Sequence, residues 1–155
     1  MKPDVRAYWD QFYASLPADS PYRSRSVDAE GWGDSPELAD ELGGLIADGT
    51  KTATCSAMWE WDFDGETWPE PGHLTMVLDG KGQPLCVIEV TEMAIKPFNQ
   101  VDPQFAYEEG EGDRSLQYWR AAHRGFFERA MHKIGRDFAE DIPLVCERFK
   151  VVYRF

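Results

Sequence analysis

The stretch Gly49-Thr50-Lys51-Thr52-Ala53-Thr54 sets a lysine and a threonine three residues apart directly after a glycine. On a regular strand odd and even positions face opposite sides, so the amine and the second hydroxyl meet in one pocket only if the chain bends there. Gly49 permits such a bend. A lysine of lowered pKa can act as a general base, and a neighbouring threonine hydroxyl can become a nucleophile or position a water. The plainer alternative is an exposed lysine after a helix end followed by an ordinary strand threonine. Either way the stretch reads as a helix-to-strand junction, and the elements on both sides follow from it.

Upstream, Ser35-Pro36-Glu37 supplies an N-cap, a proline at the first helical position and an early acid. Leu38, Leu42, Leu45 and Ile46 then recur at helical spacing, which predicts a helix over 36–48 closed by Gly49. The segment Asp19 to Gly33 is rich in Ser, Gly and charge and reads as a loop over a pocket. Before it, Val5, Tyr8, Trp9, Phe12, Tyr13 and Leu16 draw an apolar face on a first helix that begins near Pro3 and stops at Pro17.

Downstream, Thr52 to Ala57 is short and β-prone, and Trp59 to Gly72 reads as a loop with aromatic anchors. Leu74–Leu78 and Leu85–Ile95, joined by the turn residues Asp79 to Pro84, predict a hairpin. Asp102-Pro103 starts a helical turn through Tyr107. Asp113 or Ser115 caps a longer helix with Leu116, Trp119, His123, Phe126, Phe127, Ala130, Met131 and Ile134 on one side, ended by Gly135. Val145, Phe149, Val151, Tyr153 and Phe155 form a terminal strand, alternating with Cys146, Arg148, Lys150 and Arg154. The class is mixed α+β, without repeats or linkers.

Composition narrows the function. A length of 155 residues with 43% hydrophobic side chains suffices for one core, so one domain is expected over 1–155, with 1–31 as a helix-and-loop extension and 32–155 as the core unit. The net charge of -12 lacks the basic footprint of a protein that binds long nucleic acid. Arg23, Arg25 and Lys51 could line a local positive pocket suited to one nucleotide or nucleoside, so a small molecule is favoured and a DNA duplex is not. Cys55, Cys86 and Cys146 read as reduced, buried thiols. The N-terminus carries no apolar leader and no segment is long enough to span a membrane, which predicts a cytoplasmic protein without membrane partners.

A second chemical stretch is Ala106-Tyr107-Glu108-Glu109-Gly110-Glu111-Gly112-Asp113-Arg114. Crowded carboxylates there could raise one pKa into a useful range, with Arg114 pairing one of them; a solvated acidic loop with Asp113 as a helix cap is the alternative. Mg²⁺ or Ca²⁺ is the natural competitor for the acids, but nothing fixes a ligand order, and Asp62-Phe63-Asp64-Gly65 lacks the later glutamate of a calcium loop. His73, His123 and His132 have no zinc-pair spacing. We therefore expect no metal and no cofactor. Phosphate-loop and dinucleotide motifs are absent. Trp32, Trp59, Trp61 and Trp68 fall in expected loops, where a ring either stacks on a base or pins the loop to the core.

The stretch Gly49 to Thr54 resembles the G-x-K-T-x-T signature of ASCH domains, relatives of the PUA-like RNA-binding fold. Trp32 to Glu37, Val77 to Gly80, Pro97 to Asn99 and Ala106 to Leu116 resemble the larger bacterial members, so the likeness covers roughly Trp32 to Phe127. It implies a small mixed or antiparallel β-barrel flanked by helices, with a cleft near the signature. Some family members are ribonucleases, and some small ones are amidohydrolases that remove acyl groups from N4-acylcytidine. By the resemblance the catalytic residues are Lys51, Thr54 and Glu109, with Glu108 as the alternative if the match slips by one. Lys51 would take the proton of Thr54, whose oxygen attacks the acyl carbon, and Glu109 would protonate the departing N4. A backbone N–H near Thr54 or Cys55 would hold the oxyanion, with Ser56 or Tyr118 assisting. Arg23, Trp32, Ser56, Arg114 and Tyr118 are the expected substrate contacts. The competing readings are a ribonuclease acting on single-stranded RNA, with Lys51, Arg114 or Arg23 on the phosphate and Glu109 as base or metal ligand, and a non-catalytic reader of modified RNA. A monomer or homodimer is expected, and Lys51→Ala and Thr54→Ala should each abolish deacylation with folding intact.

Overall fold

The computed structural model describes residues 4–155, so the expected helix start near Pro3 lies outside the described residues. The first helix, α1 (Val5–Ala14), has Asp4 as its N-cap, the Asp4 carboxylate accepting from the Arg6 N–H. Then follow β1 (Val27–Glu30), α2 (Pro36–Ala47), β2 (Ala53–Ala57), α3 (Met58–Asp64), β3 (Leu74–Leu78), β4 (Pro84–Pro97), α4 (Pro103–Glu109), α5 (Leu116–Lys133) and β5 (Pro143–Arg154). The predicted caps are the observed ones: Ser35 accepts from Leu38 N–H, Asp102 from Phe105 N–H and Ser115 from Tyr118 N–H.

The five strands form one mixed sheet in the order β1-β3-β4-β5-β2. β1 runs parallel to β3, and every other pair is antiparallel. β4 and β5 are the long central pair, and register shifts near Val87 and Val90 bend them. The expected α+β class with helices around a sheet is therefore found, but the barrel does not close. β1 and β2 remain as two separate edges, and the gap between them matters for the site below.

Two segments expected as loops are regular. Val27–Glu30 is a strand too short for its alternation to stand out, and it is held by pairing with β3. Met58–Asp64 is a helix without a side-chain cap at its start. It is fixed instead by contacts from afar: Trp61 donates to Ser56 Oγ, and Arg136 sits 4.4 Å from the Trp59 ring centroid.

Helices cover the sheet in three packed groups. Phe98, Phe105, Trp119, Phe127, Met131 and Leu144 join α4 and α5 to the sheet. Ile46 on α2 meets Val77, Ile88 and Phe149. Phe12 on α1 packs with Leu74 and Val87, flanked by Trp9, Tyr13, Tyr153 and Phe155. Full burial of a side chain such as Phe12 is worth roughly 2–3 kcal/mol, which ties the N-terminal helix to the core unit. Cys55, Cys86 and Cys146 are free thiols, as expected. No helix is long and apolar enough to cross a membrane among the described residues.

Candidate active site

A cavity of about 450 Å³ opens where the sheet fails to close. Glu30, Gly31 and Trp32 border it at the end of β1, and Thr54, Cys55 and Ser56 border it on β2, so both sheet edges contribute. α2, α3 and α5 complete the walls.

Lys51 reaches this cavity because the chain leaves α2 at a glycine in the left-handed region, Gly49 with φ 87°, and bends before β2. Its side chain is only 2% exposed. Nζ donates to Ala53 O at 2.7 Å, to Glu109 Oε1 at 2.7 Å and to Glu111 Oε2 at 3.3 Å. An ammonium has three protons, and these acceptors use all of them. Burial alone would lower the Lys51 pKa, but the facing carboxylates outweigh it and the net shift is upward. Lys51 therefore rests as a cation, not as the free base expected from sequence, and it makes no hydrogen bond with Thr54.

Glu109 is the last residue of α4 and is 1% exposed. Oε2 accepts from Trp119 Nε1 and, at 3.3 Å, from the Cys55 thiol, while His123 Nε2 stands 3.2 Å away. Burial pushes its carboxyl pKa up, yet Lys51 and His123 overcome that and hold it far below the usual carboxylate range. The His123 ring has both nitrogens on oxygen acceptors, Nδ1 on Trp119 O at 2.9 Å and Nε2 on Glu109. Satisfying both contacts requires both ring protons, so the imidazole is cationic, in line with a pKa that Glu109 raises against the opposing effect of burial. It stacks on the Trp119 ring with centroids 4.3 Å apart.

The neighbouring glutamate has a different role. Glu108 pairs with Arg148 at 2.9 Å, and its carbonyl accepts from Thr52 N–H, so Glu109 and not Glu108 enters the cavity. Gly110 makes this crossing possible. A Cβ there would lie 2.7 Å from Thr50 O, and its φ of 73° is left-handed, so the acidic loop presses directly on the Thr50-Lys51 backbone. Cys55, Glu109 and His123 also sit close enough to surround a metal ion. The ammonium 2.7 Å from Glu109 and the protons already directed at Oε2 account for that cluster without one.

Of the expected substrate contacts, Trp32, Ser56 and Tyr118 line the cavity and Arg23 and Arg114 do not. Trp32 donates to Glu30 and packs edge-on against Phe149. Ser56 accepts from Trp61. Arg23 spends Nε and Nη2 on the carbonyls of Tyr13, Leu16 and Pro17, closing the end of α1. Arg114 lies 3.6 Å from the Tyr107 ring centroid and donates to Tyr107 O and Thr50 O, clamping the acidic loop from outside. Of the cations expected to grip a phosphate, the two arginines are thus committed to backbone outside the cavity, and Lys51 is paired with carboxylates inside it.

Sequence reasoning missed two residues. His123 lies on the apolar stripe of α5 one turn from Trp119, and a histidine in that stripe was the available signal. Glu147 lies on β5 in the same alternation as Val145 and Phe149, an acid on a core-facing register. Burial first, then Glu30 and Asp28, push its carboxyl pKa up to about 8. On β2, Lys51 takes Ala53 O on the free edge, so strand alternation turns the Cys55 N–H the same way, toward the cavity, as a candidate oxyanion donor.

A profile described as ASCH domain matches residues 29–153. The chain belongs to the ASCH domain family. The ASCH domain from Lactobacillus crispatus JV V101 is similar in structure, with a TM-score of 0.91 and 38% identity over 96% of this chain and 94% of that one. A protein from Enterococcus faecalis V583 superposes with a TM-score of 0.82 at 35% identity, over 97% of this chain and 88% of that one. No curated protein matches the chain. ASCH domains are associated in general with RNA binding or hydrolase activity, which leaves the chemistry of this cavity to be argued from its residues.

Proposed function

We propose that this ASCH domain is an amidohydrolase that removes the acyl group from N4-acylated cytidine or cytosine without a metal. The observation that carries the reading is the buried Lys51–Glu109 pair at 2.7 Å on the same cavity as the Thr54 hydroxyl. Because Lys51 rests charged, it can accept the Thr54 proton only as it passes one of its own to Glu109. In that relay Thr54 Oγ1 bonds to the acyl carbon, its proton moves to Lys51, and a Lys51 proton moves to Glu109. Glu109 then protonates N4 as the C–N bond breaks, leaving an acyl-threonine ester and free cytosine amine. A water attacks the ester, gives its proton along the same relay, and the acid departs as Thr54 regains its hydrogen. The Cys55 N–H serves the developing oxyanion in both halves.

The alternative of cleaving single-stranded RNA gains little support from the walls. Glu30, Glu41, Glu60 and Glu111 border the cavity against Lys51, His123 and the exposed Arg129, which is poor ground for a polyanion. The test is incubation of the protein with N4-acetylcytidine and, separately, single-stranded RNA, each with and without EDTA. EDTA-resistant release of cytidine is expected. RNA cleavage without deacylation would overturn the reading.

A further inference from the structure

In the first half of the reaction Glu109 handles a proton that Lys51 delivers to it. In the second half a proton must first be taken from a water that arrives through the open cavity, outside that pair. Lys51 already spends its protons on Ala53 O, Glu109 and Glu111, and the Glu109 side chain is 2% exposed with three donors gathered on Oε2. A water on the Thr54 ester therefore needs another acceptor.

Glu111, two residues on, is the carboxylate of this cluster that opens onto the cavity. Its side chain is 17% exposed, and Oε2 accepts from Lys51 Nζ at 3.3 Å and stands 3.9 Å from His123 Nε2. Among the described residues it makes these contacts through Oε2 alone, which leaves Oε1 free for a water.

The backbone is built to hold it there. Gly110 and Gly112 flank Glu111, both with left-handed φ, 73° and 59°. A Cβ on Gly112 would run into the Tyr118 ring, so the loop is seated against α5 on that side as Gly110 seats it against Thr50 on the other. The Arg114 N–H closes the turn on Glu111 O at 3.0 Å, and Arg114, itself at φ 66°, donates to Thr50 O. A side-chain-bearing residue held in that region is uncommon, and such strain gathers at functional sites.

We propose that Glu111 is the catalytic base of the hydrolytic half-reaction, the point at which the proton of the attacking water enters the relay. The assignment rests on the amidohydrolase reading. A water on Glu111 Oε1 loses a proton to that carboxylate as its oxygen bonds to the acyl carbon of the Thr54 ester. When the tetrahedral intermediate collapses, the bond from the acyl carbon to Thr54 Oγ1 breaks, Lys51 gives a proton to Oγ1, and Glu111 returns the water's proton to Lys51. The acid departs and every group ends as it began.

Rapid-quench measurement of cytidine release from N4-acetylcytidine, with intact-protein mass spectrometry of the quenched samples, tests this in wild type, Glu111→Gln and Glu111→Asp. Glu111→Gln should release a burst of about one cytidine per protein while an acetyl group accumulates on Thr54. Its later turnover should be at least about a hundredfold slower than that of wild type, and Glu111→Asp, which keeps a carboxylate, should recover part of the loss. A residue that only shaped the loop would slow both halves alike and leave no acetyl-protein, and that result would overturn the assignment. So would a Glu111→Gln enzyme that turns over within about threefold of wild type. Wild type that releases no cytidine removes the hydrolase and this assignment together; wild type that deacylates beside a Glu111→Gln variant without acetyl-protein removes Glu111 alone.

Discussion

Two walls of one cavity treat buried charge in opposite ways. Around Glu109 every oxygen has a partner: Lys51 on one side, and Trp119, Cys55 and His123 on the other. Around Glu147, which is 8% exposed on the cavity wall, no hydrogen-bond partner stands among the described residues. The first arrangement makes carboxylate and ammonium tolerable by pairing them and fixes their geometry. The second keeps a carboxyl neutral and leaves its hydrogen-bonding capacity unspent. One wall thus holds a fixed, fully paired cluster of charges, and the other a carboxyl whose hydrogen-bonding capacity is unspent.

Breaking the satisfied wall should have the largest effect on stability. Lys51→Ala leaves Glu109 buried without its closest cation, and loss of one partner from a buried pair costs about 3–5 kcal/mol. The measurement thus also tests the expectation that folding stays intact in this variant. Chemical denaturation should show a midpoint well below that of wild type, and an unchanged midpoint would mean the pair contributes little.

Relieving the unsatisfied wall should act in the other direction. Glu147 has a folded pKa of about 8, above the ordinary glutamate value of 4.5. Below pH 4.5 it is neutral in both states. As pH rises from there toward 8 the unfolded chain loses the proton first, so wild type loses stability across that window. Glu147→Gln removes the slope and should gain roughly 3 kcal/mol over wild type at pH 7. Denaturation of both proteins at pH 5 and pH 7 measures the difference, and parallel pH profiles would show that Glu147 is solvated and ionised like a surface acid.

The smallest effects should come from the arginines that lie outside the cavity. Arg23→Ala removes guanidinium contacts to the end of α1, an exposed cap worth about 1 kcal/mol or less, and should leave deacylation within about twofold of wild type. A large loss of turnover would return Arg23 to the site.

Much of this was legible in the sequence. Helices with a side-chain cap, such as α2 behind Ser35 and α5 behind Ser115, and the hairpin around Asp79 to Pro84 were readable because local chemistry sets them. β1 and α3 were not, because pairing with β3 and the Trp61 and Arg136 contacts hold them from a distance. The sheet's failure to close is likewise a property of tertiary packing. In the site, Lys51 and Glu109 stood in conspicuous motifs. Glu147 and His123 were hidden among apolar neighbours of β5 and α5, where a polar residue out of pattern was the only trace. The arginines misled for the converse reason: sequence counts a charge but not the carbonyls that occupy it.

The most direct measurement is single-turnover deacylation of N4-acetylcytidine by wild type and Thr54→Ala, with cytidine affinity and denaturation midpoint determined on the same preparations. Thr54 makes none of the buried contacts of Lys51, so the variant should fold and bind cytidine as wild type does. Its deacylation rate should fall by a factor on the order of a thousand or more, with EDTA without effect on either protein. A Thr54→Ala enzyme that still deacylates within tenfold of wild type would contradict the assignment of Thr54 as nucleophile and of the Lys51–Glu109 pair as its relay.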